Sequence, residues 1–165
     1  MLSHLFGPKD LLILDSLAHN SIYMGGQSSK ASRRTFAHND MTALNALLYE
    51  VKGRYEKIVI VTEGLFSMDG DCATLKELVT IKNRHKVLLM VDEAHGLGVL
   101  GETGLGSWQA QGVDPKQVDI WMGTLSKTLC GAGGYLAGDG ALIDYLRCSL
   151  PGFVFSVGLS PVLAA

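Results

Sequence analysis

The sequence predicts a three-layer α/β fold, with helices on both faces of a mostly parallel sheet. Short apolar runs recur along the chain and end in polar residues, as in Leu11–Asp15, Lys57–Thr62 and Val87–Asp92. These runs are apolar on both sides of the pleat, which marks strands covered on both faces. The segments between them carry helical periods, and no internal repeat or linker interrupts the alternation. A chain of 165 residues with 47% hydrophobic content buries one substantial core but is too short for two ordinary domains.

Taken in order, Leu11–Asp15 is a buried strand and Arg34–Ala37 a short second one. Asp40 reads as the N-cap of a helix whose Leu44, Leu47, Leu48 and Val51 form one apolar stripe. Lys57–Thr62 is β-branched and buried. Thr74 reads as the cap of a helix bearing Leu75, Leu78 and Val79, with Arg84, His85 and Lys86 at its end. Strands follow at Val87–Asp92, Val118–Met122 and Gly134–Gly138, then a helix carrying Leu142, Ile143 and Leu146. Only about ten residues, without helical pattern, join the last two strands, and a parallel crossover needs a dozen or more. The strand at Gly134 should therefore run antiparallel to its neighbour. Ligands of such sheets bind beyond the carboxyl ends of the parallel strands. That draws attention to His19, Ser67, Asp92, His95, Thr124 and Lys127.

Composition excludes several classes. Fourteen basic and 16 acidic residues give a net charge of −2, without the basic excess of a nucleic-acid or anionic-membrane surface. Only 18% of residues are charged, so the chain is not of the disordered class. Cys72, Cys130 and Cys148 are odd in number and form no CxxC pair, which predicts a reducing compartment with neither a zinc site nor a disulfide framework. No apolar run approaches the ~20 residues of a membrane span, and Met1–Leu5 lacks the features of a signal peptide. The expected location is the cytoplasm. Glycine is abundant, at 20 residues against 4 prolines, which predicts sharp turns or close backbone approaches.

Two motifs mislead. Asp92-Glu93-Ala94-His95 spells a helicase acidic box, but Trp121 and Ser126 stand where the glycines of a phosphate-gripping loop ending at Lys127-Thr128 would be needed. Gly96-Leu97-Gly98-Val99-Leu100-Gly101 matches the dinucleotide fingerprint. Its first glycine is separated from the strand, however, and Gly104 and Gly106 deny it the helix on which a pyrophosphate would rest. A glycine-rich surface loop fits better than a nicotinamide site.

One constellation survives. Lys127 follows a buried strand among small residues, where lost hydration would free its amine for Schiff-base chemistry. Alone it would read as a solvated loop lysine. Asp92 changes that, because a carboxylate at the end of a buried strand needs a cation. A lysine amine with a carboxylate facing a pyridinium nitrogen is the pairing of pyridoxal phosphate enzymes. His95 is spaced to reach the cofactor's phenolic oxygen, or is a surface loop histidine. Ser67 is a second candidate there, or an ordinary turn serine before Asp69-Gly70-Asp71. His19 is placed to lie on an aromatic ring, or to cap the next helix.

The strings DSLAHNSI (15–22), FAHND (36–40), TEGLFSMDGD (62–71), VDEAHGLGVLG (91–101) and GTLSKTLCGAGGY (123–135) resemble the α-oxoamine synthases, fold-type I pyridoxal phosphate enzymes. The resemblance spans almost the whole chain, in five ordered motifs. It implies that Lys127 is the Schiff-base lysine and Asp92 the partner of the pyridine nitrogen. It further implies His95 and Ser67 near the phenolic oxygen, His19 stacked on the ring and Thr124 on the phosphate. Phe153–Val157 resembles a segment that reaches a neighbouring subunit's phosphate, with Ser156 as the contact. Val157 stands where a second hydroxyl is usual, and Leu105 where arginine is common; neither is assigned a role.

The resemblance also implies that residues 1–165 are the central part of a pyridoxal phosphate-binding large domain, without the family's preceding segment and its C-terminal small domain. The expected activity of the parent protein is decarboxylating condensation of an amino acid with an acyl thioester, delivered by coenzyme A or a carrier protein. Lys127 and His95 are the expected catalytic residues. The alternatives are an aminotransferase of the same fold and a piece that does no chemistry. A homodimer is expected, both from the shared site of the family and because a chain of mean hydropathy +0.23 without flanking segments should expose apolar patches.

Overall fold

The computed structural model describes residues 1–164. Six strands form one sheet in the order β2-β1-β3-β4-β5-β6. They are β1 (Leu11–Asp15), β2 (Ser32–Phe36), β3 (Ile58–Glu63), β4 (Leu88–Asp92), β5 (Ile120–Thr124) and β6 (Gly134–Gly138). The first five run parallel. β6 pairs antiparallel with β5, with Gly123 opposite Tyr135. The short link made this reversal predictable from the sequence.

The helices are α1 (Leu2–Leu5), α2 (Asn20–Gln27), α3 (Met41–Glu50), α4 (Leu75–His85), α5 (Ser107–Gln111), α6 (Gly140–Ser149), α7 (Pro151–Val154) and α8 (Pro161–Ala164). Successive strand residues face opposite sides, and this divides the core in two. Leu11, Ile13, Ile60, Leu89, Val91 and Trp121 pack with Leu44, Leu48, Leu75 and Leu78 of α3 and α4. Leu12, Leu14, Val59, Val61, Met90 and Ile120 pack with Leu2, Phe6 and Ile22 on the other face.

Three local expectations shift. β2 begins at Ser32, because its register is set by β1, with Leu11 opposite Ser32. It is an edge strand with Arg33 and Arg34 exposed, a charge pattern that discourages further pairing. β5 begins at Ile120, because the Val118 amide still donates to Pro115 O and closes the 3-10 turn Pro115–Gln117. Thr74 occupies the cap position of α4 but makes no capping bond, and its hydroxyl is buried without a partner. Gln111 of α5 does that work instead. Its Oε1 accepts from Leu75 N at 3.0 Å, while its Nε2 donates to Ala73 O at 2.7 Å. Asp40 does cap α3, accepting from Ala43 N at 2.8 Å. Gln111→Ala should therefore destabilise the fold by about 1 kcal/mol, the usual worth of a cap. Thr74→Val should cost less in the same urea titration, since the hydroxyl it removes is unpartnered.

Candidate active site

The alternation that divides the core also gathers the site. Glu63, Asp92 and Thr124 end three adjacent strands and follow Val61, Met90 and Met122 onto the same face. Glu63 lies opposite Asp92, and Asp92 opposite Met122. Asp15 ends β1 on the opposite face, following Leu11 and Ile13.

Asp92 is 3% exposed. Among the described residues its one side-chain hydrogen bond comes from Ala94 N, at 2.8 Å to Oδ1. Burial drives its pKa up, against the Ala94 bond and the more distant pull of Lys127, His19 and His95. Among the described residues no cation touches it.

His95 follows in the turn after β4 and stands 3.5 Å through Nδ1 from Lys127 Nζ. The same nitrogen is 3.7 Å from Glu63 Oε2. Burial, with Lys127 close by, lowers the histidine's pKa. Lys127 is held by its loop, in which Leu125 N donates to Gly133 O at 3.0 Å and Gly131 N to Leu125 O at 2.8 Å. Thr128 Oγ1 donates to Leu97 O at 2.7 Å and ties the lysine loop to the histidine loop. The lost hydration expected of Lys127 is not found. The residue is exposed, within a run of exposed residues from Ser126 to Cys130.

His19 takes the cap position of α2, where its Nδ1 accepts from Ser21 N at 3.2 Å. Its backbone N donates to Glu63 Oε1 at 2.5 Å. Thr124 Oγ1 bonds with Ser126 Oγ at 2.7 Å and donates to Gly133 O at 3.2 Å, bracing the approach to Lys127. Ser67 is exposed in the turn after β3 and makes no side-chain bond among the described residues. Ser156 is exposed and among the described residues donates only to Phe153 O, at 3.1 Å, so none of them joins it to the cluster. Val157 and Leu105 are exposed as well.

Sequence reasoning missed two buried carboxylates. Glu63 is 2% exposed, and burial outweighs the His19 bond to push its pKa up to about 7. Glu93 is 3% exposed, with its pKa also raised by burial, and takes hydrogen bonds from the Ser107 hydroxyl and amide. A Cβ on Gly64, Gly96 or Gly106 would overlap the Glu93 carboxyl group. Gly98, at φ +77°, is pressed against Thr128. The glycines of the false dinucleotide fingerprint thus clear space for a carboxylate and a neighbouring loop. Gly96→Ala should cost about 2 kcal/mol, as overpacking does, and urea midpoints will show it. Gly140→Ala, which meets open space, should not.

Within this geometry the chain can hold a flat cationic ring against Asp92 and offer it a primary amine and an imidazole. A match to the family model for aminotransferase class I and II covers residues 1–165. The chain is 46% identical over 165 residues to 8-amino-7-oxononanoate synthase of Geotalea daltonii, covering 100% of this chain and 42% of that protein. It is 46% identical over 165 residues to serine palmitoyltransferase 2 of Saccharomyces cerevisiae, covering 94% and 29%. Sphingomonas wittichii serine palmitoyltransferase superposes with TM-score 0.91 at 36% identity, covering 99% of this chain and 40% of that one. Serine palmitoyltransferase from S. paucimobilis, solved with a bound PLP–myriocin aldimine, superposes with TM-score 0.90 at 34% identity, covering 98% and 42%. The chain therefore spans less than half the length of these relatives. The full-length family match, these identities and the shared sheet together mean that the chain belongs to the aminotransferase class I and II family, fold-type I.

Proposed function

We propose that the whole protein is a pyridoxal phosphate-dependent acyltransferase, joining an amino acid to an acyl thioester with loss of carbon dioxide. The observation that carries this is Asp92, a buried carboxylate with no cation partner among the described residues, beside the Lys127–His95 pair at 3.5 Å. A protonated pyridine nitrogen is the partner that such a carboxylate lacks. When bound, the cofactor supplies an electron sink.

The chain's own residues do the rest. Asp92 would hold the proton on the ring nitrogen. Lys127 would hold the cofactor through Nζ and, once free, would be the base for the α-proton at the same atom. His95 would donate to the phenolic oxygen from Nε2 while Lys127 is free, and Ser67 would be a second group there. His19 would lie against the ring, giving up its cap on α2, and Thr124 would hold the phosphate. The resemblance to the α-oxoamine synthases, and the similarity to enzymes named for oxononanoate and palmitoyl transfer, support the thioester over a keto acid as co-substrate.

The same reading makes residues 1–165 the cofactor-holding part of a larger domain, in a cytoplasmic homodimer. Ser156 would then serve the neighbouring subunit. Phe153, Phe155 and Val157 are 57%, 85% and 97% exposed, which is the apolar surface a two-fold partner would cover. Among the described residues no helix is long and apolar enough to cross a membrane.

Two measurements test the proposal. Pyridoxal phosphate followed by borohydride should leave a label on the Lys127 peptide; a folded, unlabelled protein would make this chain non-catalytic. In the whole protein, thioester-dependent release of carbon dioxide is expected. Amino transfer to a keto acid without it would make the protein an aminotransferase.

A further inference from the structure

Glu63 has no part in the chemistry above, yet it is buried at the centre of the cluster. Its two oxygens face two different catalytic-site segments. Oε1 accepts from His19 N at 2.5 Å, and Oε2 faces His95 Nδ1 at 3.7 Å. The other charged groups around it are Asp92 on the adjacent strand, Asp15 and Lys127.

The atom that matters is His95 Nδ1. On one side it meets Lys127 Nζ at 3.5 Å, and on the other Glu63 Oε2 at 3.7 Å. An ammonium only donates, so beside it Nδ1 must be the bare nitrogen and the ring proton sits on Nε2. A carboxylate only accepts, so towards it Nδ1 must carry the proton and Nε2 is left bare. These two arrangements exclude each other in a neutral ring, and the His95 ring is held toward neutrality by burial and by Lys127. Which nitrogen carries a proton is set by the hydrogen bond that its partner makes.

We propose that Glu63 is a positioning residue that sets the tautomer of His95, switching it as Lys127 becomes engaged. While Lys127 is a free ammonium, Nδ1 accepts from it and Nε2–H is a donor. Once the amine is tied up, Nδ1–H turns to Glu63 and Nε2 becomes an acceptor. The single proton moves from Nε2 to Nδ1 through solvent, with no net change in charge. Glu63 acts only through His95 and the His19 turn and touches no reacting atom. The inference rests on the proposed pairing of Lys127 with His95, since Lys127 must change state for the switch to matter.

Nitrogen-15 NMR of the histidine-labelled protein reads the tautomer directly, with His95→Gln identifying the ring among the 5 histidines. Near pH 8, Lys127→Ala should show His95 with its proton on Nδ1. Adding Glu63→Gln to that variant should swap the two ring-nitrogen resonances. The new amide can still accept from His19 N through its oxygen, but it then turns an NH₂ donor toward Nδ1 and drives the proton to Nε2. Glu93→Gln, at a buried carboxylate of the same turn as His95, should leave the two resonances where they are. Identical His95 resonances with and without Glu63→Gln, in folded proteins, would overturn the proposal. Borohydride labelling of Lys127 in the otherwise unchanged protein separates the two failures. A labelled Lys127 with an unmoved tautomer rejects only the role of Glu63, whereas an unlabelled one rejects the underlying function.

Discussion

Asp92→Asn should lower turnover of the whole protein by about 10²–10³-fold while making its cofactor-free form more stable. Both effects follow from one property. The carboxylate is 3% exposed, and among the described residues its only side-chain hydrogen bond is from the Ala94 amide. Its pKa is raised by burial. For a carboxyl group the sign is then unfavourable: the ionised form is harder to hold in the folded state than in the unfolded one. The penalty is present at neutral pH and fades as pH falls below the raised value. Asparagine keeps an oxygen for Ala94 N and removes the buried charge, so the cofactor-free protein should gain about 1 kcal/mol at pH 7. A protonated ring nitrogen loses its partner in the same stroke, and the rate falls. Denaturation without cofactor and turnover with it are the two measurements. Loss of activity with an equal loss of stability would mean that Asp92 is an ordinary structural residue.

That opposition between stability and function was legible in the sequence at Asp92, because a buried run that ends in a carboxylate announces its own anomaly. The strands were legible for the same reason. Runs such as Ile58–Val61 admit no exposed face, and the link to β6 is too short for a crossover. What the sequence hid is what depends on contacts between distant residues. Gln111 caps α4 from 36 positions away, so the local rule favoured Thr74. Glu63 fell just past a strand read as ending at Thr62, and only the register sets it opposite Asp92. Gly96 matched a phosphate motif because the motif records glycine and not its cause, which here is the Glu93 carboxyl group. The position of Lys127 in the chain was readable; its hydration was not, since exposure depends on how far the loop stands from the sheet.

The fragment FAHND hides the largest stability effect. His38 sits with Nδ1 2.8 Å from Asp15 Oδ1 and Nε2 2.7 Å from Asp71 Oδ2. Both ring nitrogens face carboxylate oxygens, so both must donate, and the bound form is the imidazolium. Asp15 is completely buried and also accepts from Leu17 N and Asn39 N. Asn39 Nδ2 donates to Asp71 Oδ2 and Cys72 O, and the His38 ring meets Phe66 edge-on at 4.4 Å between centroids. The clasp joins the end of β1 to the start of α3 and to the turn that carries Ser67. Burial alone would lower the pKa of His38, but the hydrogen bonds to Asp15 and Asp71 outweigh it and raise the value. A raised histidine stabilises the fold fully below its unfolded value of about 6.5, and that contribution is lost as pH rises through the folded value. His38→Ala should therefore cost about 3 kcal/mol near pH 6, since it leaves two carboxylates facing an empty space. The difference from the unaltered protein should shrink steadily toward pH 9. Urea titrations of both proteins across that range will show the convergence. Parallel curves with a constant gap would mean that His38 contributes by packing against Phe66 and not by its charge.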